Sequence, residues 1–192
     1  FLIRKDFCYN TYTMSILILF LLLVFILLLA LFCLYLFFQA FYWVVSGVPF
    51  VNSKKKVMRV LQEEVRLKPG EIVYDLGCGD GKVISFLAKN NPQVNFLGLE
   101  LNFSLILIAR IFRRLPNVKY QRGNFFKKDL SQADYIFVFL FPELMDKLLP
   151  KLEKEMKPGA IVISNSFKFS QKVPFRKIES PNVLESLYFY KF

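Results

Sequence analysis

Val73-Tyr74-Asp75-Leu76-Gly77-Cys78-Gly79-Asp80-Gly81-Lys82 joins a short apolar run to a carboxylate and three glycines spaced two apart. The apolar part predicts a buried strand over Ile72–Leu76, and the glycines let the backbone turn sharply and approach a ligand closely before a helix starts at Lys82. The spacing is GxGxG, whereas the dinucleotide fingerprint is GxGxxG with a pyrophosphate against the helix N-terminus. A ligand with an amino-acid tail suits this shorter version. Its ammonium would face Asp75 and its carboxylate the helix start, with Gly77, Cys78, Gly79, Asp80 and Gly81 as the cradle. Tight strand-to-helix packing without a ligand would also produce such a loop.

The next apolar run ends in Gly98-Leu99-Glu100-Leu101-Asn102, with Glu100 nineteen residues after Gly81. A carboxylate there is placed to accept hydrogen bonds from ribose hydroxyls, as in nucleotide-binding βαβ units, and Leu101 and Asn102 join it as candidate contacts. The pattern continues as alternating elements. Helices are predicted over Lys54–Arg66, Lys82–Lys89, Ser104–Arg114 and from Pro142 to about Met156. Strands are predicted over Asn95–Leu101, Val118–Arg122, Tyr135–Phe141 and Ile161–Asn165, with Arg176–Ser180 and Ser186–Phe192 as a closing antiparallel pair. The fold class is α/β, a Rossmann-like, mostly parallel sheet with helices on both faces, in which ligands sit at the carboxyl ends of the strands.

The other end of the chain differs in kind. No Asp, Glu, Lys or Arg occurs from Phe7 to Ser53, and all but Arg4, Lys5 and Asp6 of the 26 basic and 15 acidic residues lie from Lys54 onward. Ile16–Phe38 is an unbroken apolar run of 23 residues, longer than the ~20 that a helix needs to cross a bilayer. Tyr9 and Tyr12 flank one end, and Phe41, Tyr42 and Trp43 the other, as rings with a polar edge do in the headgroup layer. Lys54, Lys55, Lys56 and Arg59 outweigh Arg4 and Lys5, which places the C-terminal part in the cytoplasm of a single-pass protein. A cleaved signal peptide is the alternative, but its apolar core is shorter. The expected division is an N-terminal flank over 1–13, a transmembrane anchor with interfacial aromatics over 14–45, a linker and first helix over 46–70, and a ligand-binding domain over 71–192. The chain begins at Phe1 rather than a methionine, which points to a start upstream or at Met14.

A net charge of +11 favours anionic partners, and with an anchor present the partner expected is the lipid bilayer rather than nucleic acid. There is no histidine, and Cys8, Cys33 and Cys78 are scattered without CxxC spacing. Those facts exclude Ser/His/Asp and Cys/His nucleophilic machinery and argue against a disulfide framework or a metal site.

On the two loops quoted above the sequence resembles the class I methyltransferases. Within them it is similar to the small membrane-anchored protein-lysine methyltransferases that include the ATP synthase c-subunit enzymes. The similarity runs from about Gly47 to Phe169, through Val48-Pro49-Phe50-Val51, Gln121-Arg122-Gly123-Asn124-Phe125, Leu140-Phe141-Pro142-Glu143-Leu144-Met145 and Ser164-Asn165-Ser166-Phe167. It implies a seven-stranded sheet, S-adenosyl-L-methionine as donor, and a lysine of a membrane-embedded or membrane-proximal protein as acceptor. It also implies that Asn124 and Phe125 lie at the adenine, Asn124 where relatives usually carry Asp, and that Asn52 stands near a usual Pro. For Phe125 a core role competes with the adenine. Methyl transfer needs alignment of a lone pair with the sulfonium methyl and no covalent intermediate. Glu143, after the strand that should end beside that methyl, is the candidate to orient the amine and take its proton, with Pro142 beside it. Proline and an acid are equally ordinary at a helix start. Asn165 and Ser166 are candidates to hydrogen-bond the acceptor. Rival readings are methylation of a lipid headgroup or small membrane-soluble molecule, a non-catalytic donor-binding scaffold, and an NAD-dependent oxidoreductase, for which the glycine spacing is wrong.

Overall fold

The computed structural model describes residues 2–46, 55–179 and 186–192. Val48-Pro49-Phe50-Val51, Asn52, Lys54 and Ser180 lie outside these residues, and the rings of Tyr9, Tyr12, Tyr42 and Trp43 lie outside the described side chains. The chain falls into two units, 1–49 and 50–192.

The first unit contains one continuous helix, α1 (Leu2–Ser46). Within it Met14–Phe38 is long and apolar enough to cross a membrane by length and composition, and its residues are exposed. Its 25 residues extend about 37 Å at 1.5 Å per residue.

The second unit runs α2 (Lys55–Glu64), β1 (Ile72–Leu76), α3 (Lys82–Asn90), β2 (Asn95–Glu100), α4 (Phe103–Phe112), β3 (Val118–Arg122), a 3-10 turn (Phe125–Lys127), β4 (Tyr135–Val138), α5 (Pro142–Glu155), β5 (Ile161–Asn165), β6 (Arg176–Glu179) and β7 (Ser186–Lys191). The seven strands are ordered β3-β2-β1-β4-β5-β7-β6. β1 to β5 are mutually parallel, and β7 pairs antiparallel with both β5 and β6. The chain builds β2 and β3 on one side of β1, then returns to lay β4 and β5 on the other. That reversal opens a crevice at the carboxyl end of β1, where ligands bind in open α/β sheets.

Both sheet faces are covered because the apolar residues of each strand alternate between them. Leu76, Leu99, Ile136, Val138 and Val162 pack with Met145, Leu148 and Leu152 of α5. Val73, Phe96, Phe137, Ile163 and Phe189 pack with α3 and with Val57, Met58 and Leu61 of α2. The segment expected as a linker and first helix thus contributes α2 to the core of the second unit.

Most element ends fall within two residues of expectation, and two features depart further. The strand expected over Tyr135–Phe141 ends at Val138. Pro142 has no N–H to offer a ladder and opens α5 instead, so Phe139–Phe141 serve as the turn into that helix. The 3-10 turn at Phe125–Lys127 had no signal in the hydrophobic pattern.

Candidate active site

Strand alternation sends Asp75 to the face of β1 that Val73 occupies, under α3, at the strand's last turn before the glycines. There it is 4% exposed. Burial, and then the charges of Glu100 and Asp80, push its carboxyl up to about 8. A buried acid beside two further acids lacks a counter-charge, and a ligand cation would supply one. The same burial holds the Cys78 thiol well above its ordinary range, so it is a neutral wall and not a nucleophile.

The glycine loop is pinned to β2. Gly77 and Cys78 N–H donate to the Leu99 carbonyl at 2.8 and 3.0 Å, and Gly81 N–H to the Cys78 carbonyl at 2.9 Å. Glu100 holds the loop from the side: Gly79 N–H donates to Oε2 at 3.0 Å and Asn102 N–H to Oε1 at 2.8 Å. Each oxygen retains a lone pair, so the ribose role expected of Glu100 is compatible with its loop role. Asp80 accepts from Lys82 N–H at 3.3 Å and faces Arg113 at 3.4 Å.

Close approach explains two glycines. Gly81 adopts φ +75°, and a Cβ there would lie 2.6 Å from the Tyr120 ring, whereas a Cβ at Gly98 would lie 2.8 Å from Cys78 Sγ. Sequence reading missed Tyr120 and Arg113. Tyr120 backs the loop and donates its hydroxyl to the Arg113 carbonyl at 3.1 Å. Its phenol is pushed up by burial, then by the neighbouring Cys78 and Asp75. Its one sequence signal was the alternation of Val118 and Tyr120 on β3.

The remaining candidates on this side are more local. Asn102 is buried and its oxygen caps α4, accepting from Ser104 and Leu105 N–H at 2.9 and 3.3 Å. Leu101 is exposed. Asn124 Oδ1 accepts from Phe126 N–H at 2.9 Å, opening the 3-10 turn. Phe125 is half-buried against the α5 core, its ring 4.7 Å from that of Phe126.

The carboxyl ends of β4 and β5 form a second corner. Phe139 and Phe141 flank Phe167 at 6.2 and 5.6 Å between ring centres. Pro142 and Glu143 are the first residues of α5 and both are exposed. Asn165 ends β5 with 0% exposure. Its Oδ1 accepts from the Ser166 hydroxyl at 3.3 Å, while Nδ2 has no hydrogen-bond partner. Ser166 holds φ 66°, a left-handed backbone that a non-glycine residue rarely adopts. By alternation Asn165 lies on the same sheet face as Asp75, with β4 between them, so the two corners stand on the order of 10 Å apart.

Residues 75–176 match the family described as the ANTKMT methyltransferase domain. A protein-lysine N-methyltransferase of Saccharolobus islandicus (strain REY15A) is 36% identical over 157 residues, 76% of this chain and 94% of that protein. The adenine nucleotide translocase lysine N-methyltransferase of Mus musculus is 32% identical over 62% of this chain, and the ATP synthase c-subunit lysine N-methyltransferase of Homo sapiens 30% over 66%. The matches span 53% and 55% of those two proteins, about half their length. Among solved structures, an RNA methyltransferase from Salinibacter ruber in complex with S-adenosyl-L-homocysteine superposes with a TM-score of 0.69 at 26% identity, covering 73% of this chain and 93% of that one.

Proposed function

The chain belongs to the ANTKMT methyltransferase domain family and is an S-adenosylmethionine-dependent methyltransferase of the protein-lysine kind, and we propose that it methylates a lysine of a membrane or membrane-proximal protein. In this proposal Met14–Phe38 anchors a cytosolic catalytic domain. The observation that carries the reading is the buried Asp75 carboxyl, raised to about 8 beside Glu100 and Asp80, at the mouth of a glycine loop with no room for side chains at Gly81.

When bound, the donor supplies a methyl group made electrophilic by its sulfonium. The chain's residues do the rest. Asp75 takes the donor's ammonium, Glu100 accepts from its ribose, and the loop Gly77–Gly81 lies against it, with Asn124 and Phe125 toward the adenine. Lysine, with a pKa near 10.4, meets the enzyme as an ammonium, and having it neutral at pH 7 costs about 4.6 kcal/mol. The aromatic corner of Phe139, Phe141 and Phe167 lowers that cost by withholding water from the charged form. Glu143, exposed beside Pro142 at the start of α5, draws the ammonium in and takes up its proton. Asn165 offers its unpartnered Nδ2 to a carbonyl of the acceptor chain.

The test is incubation of the full chain, in membranes, with methyl-labelled donor. Label is expected in protein, on lysine, and absent with Asp75→Ala. Label running with extracted lipid would move the acceptor to a headgroup and overturn the lysine assignment.

A further inference from the structure

Helix α4 has its polarity inverted for a helix on the outside of a domain. Ile106 and Ala109 are its buried residues, whereas Leu101, Phe103, Leu107, Ile108, Ile111 and Phe112 all face outward, Phe112 at 73% and Ile111 at 61% exposure. Large contiguous apolar patches of this kind mark binding surfaces. The charge beside it is mostly basic: Arg110 lies in its last turn, Arg113 and Arg114 follow it, and Arg122 lies by its start, with Asp80 the acid that faces Arg113. The Arg122 guanidinium lies over the Phe103 ring at 5.6 Å, and Arg110 donates to the Tyr120 carbonyl at 2.9 Å, so part of the basic fringe is fixed beside the apolar face.

We infer that α4 is a bilayer-docking face, its apolar side chains entering the headgroup boundary of an anionic membrane while the arginines beside it meet lipid phosphates. A polyanion such as RNA would match the charge but leave the aliphatic face in water. A soluble protein groove would match the face but need acidic residues on every side. An anionic bilayer matches both, and interfacial segments combine this same aliphatic and basic chemistry. The inference rests on the membrane attachment proposed above, which brings the domain within reach of a bilayer. Because α4 starts directly after Glu100 and Asn102, docking would hold the donor-binding end of β2 at the membrane surface.

The experiment uses the full chain, with Trp43→Phe to remove its one tryptophan, carrying either Phe112→Trp or Phe175→Trp. Phe175 is also exposed but precedes β6, the opposite edge of the sheet from β3. Both proteins are reconstituted into vesicles of phosphatidylcholine and phosphatidylglycerol with brominated acyl chains, and donor binding confirms that each is folded. The Phe112→Trp protein is expected to lose at least half its emission to bromine, the Phe175→Trp protein little. Adding Arg114→Glu and Arg122→Glu, or omitting phosphatidylglycerol, should restore most of the lost emission. Equal quenching of both probes, no quenching of either, emission that follows protein-to-lipid ratio instead of bromine, or emission changed by added RNA instead of bromine would each overturn the docking face. Resistance of the same chain to alkaline extraction reports the Met14–Phe38 anchor separately, so an anchored protein with an unquenched α4 defeats this inference alone.

Discussion

The carboxyl ends of β1 and β2 and those of β4 and β5 are two corners of one crevice, built on opposite principles. The first is charged and heavily bonded: three carboxylates surround a glycine loop whose N–H groups are held by Leu99 and Glu100. The second is aromatic, with one buried amide left short of a partner and a serine in a left-handed backbone. A cationic cofactor needs acids already held in place, because repositioning them on binding would cost affinity. An acceptor that must shed a proton needs the reverse, a surface that does not favour its charge. Under the proposed function both demands fall at one end of the sheet and are kept apart, so changes at either corner should leave the other's task intact.

The largest effect is expected at Asp75. Asp75→Asn should weaken donor binding by about 100-fold, the loss of a hydrogen bond to a charged group, read by calorimetry. Wild-type affinity should also depend on pH. Below about 8 the empty pocket holds Asp75 protonated, so binding must expel that proton, and affinity falls up to tenfold per unit as pH drops. Above it the donor's α-amino group, with a pKa of about 7.7–8.0, loses its own charge, so affinity should peak near pH 8. Stability moves oppositely. An unfolded carboxyl titrates at about 3.9 and the folded one at about 8, so the empty protein loses stability as pH rises between these values. Asp75→Asn should remove that loss, giving a higher melting temperature without donor and the larger gain toward pH 8. A pH-independent difference would contradict a buried, raised Asp75.

Next in size is Gly81→Ala. Its Cβ would collide with the Tyr120 ring in a left-handed backbone, at a cost of about 1–3 kcal/mol, seen as a lower unfolding midpoint and weaker donor binding. Tyr120→Ala in the same chain should recover part of the binding if the collision is the cause.

The aromatic corner should respond differently. Asn165→Leu keeps the branching of the side chain and removes a buried donor that has no partner, a gain that offsets the cost of the bulkier methyl groups, so stability should change by no more than about 1 kcal/mol. Donor affinity should stay the same while methyl transfer falls about tenfold. A parallel loss of donor binding would erase the distinction between the corners. The smallest effect is expected for Glu143→Gln: water can replace an exposed proton acceptor, so kcat should fall only a few-fold. Because exposed charges contribute up to about 1 kcal/mol, the KM for the acceptor should rise a few-fold, and less so with added salt.

Where chemistry is contiguous in the chain, it was legible. β1, β3 and β5 fall on the residues their patterns predict, and Asp75 and the glycines needed no distant partner to be recognised. Tyr120 and Arg113 were not legible, because their contact with the glycine loop depends on β3 pairing beside β2 and on how α4 lies over both. The strand expected to reach Phe141 stopped at Val138, since hydrophobicity cannot tell a buried strand from a buried turn.

Local pattern was enough to establish the α/β alternation, the glycine loop after β1 and the apolar helix of the first unit, because each follows from short-range period, glycine spacing or run length. It took the folded arrangement to reveal that Glu100 shares its oxygens between the loop and α4's start, that Asn165 is buried with a donor unused, and that α4 turns its apolar side outward. Those properties depend on which surfaces meet across strands far apart in the chain, and burial, unlike periodicity, is a property of the partner as much as of the residue.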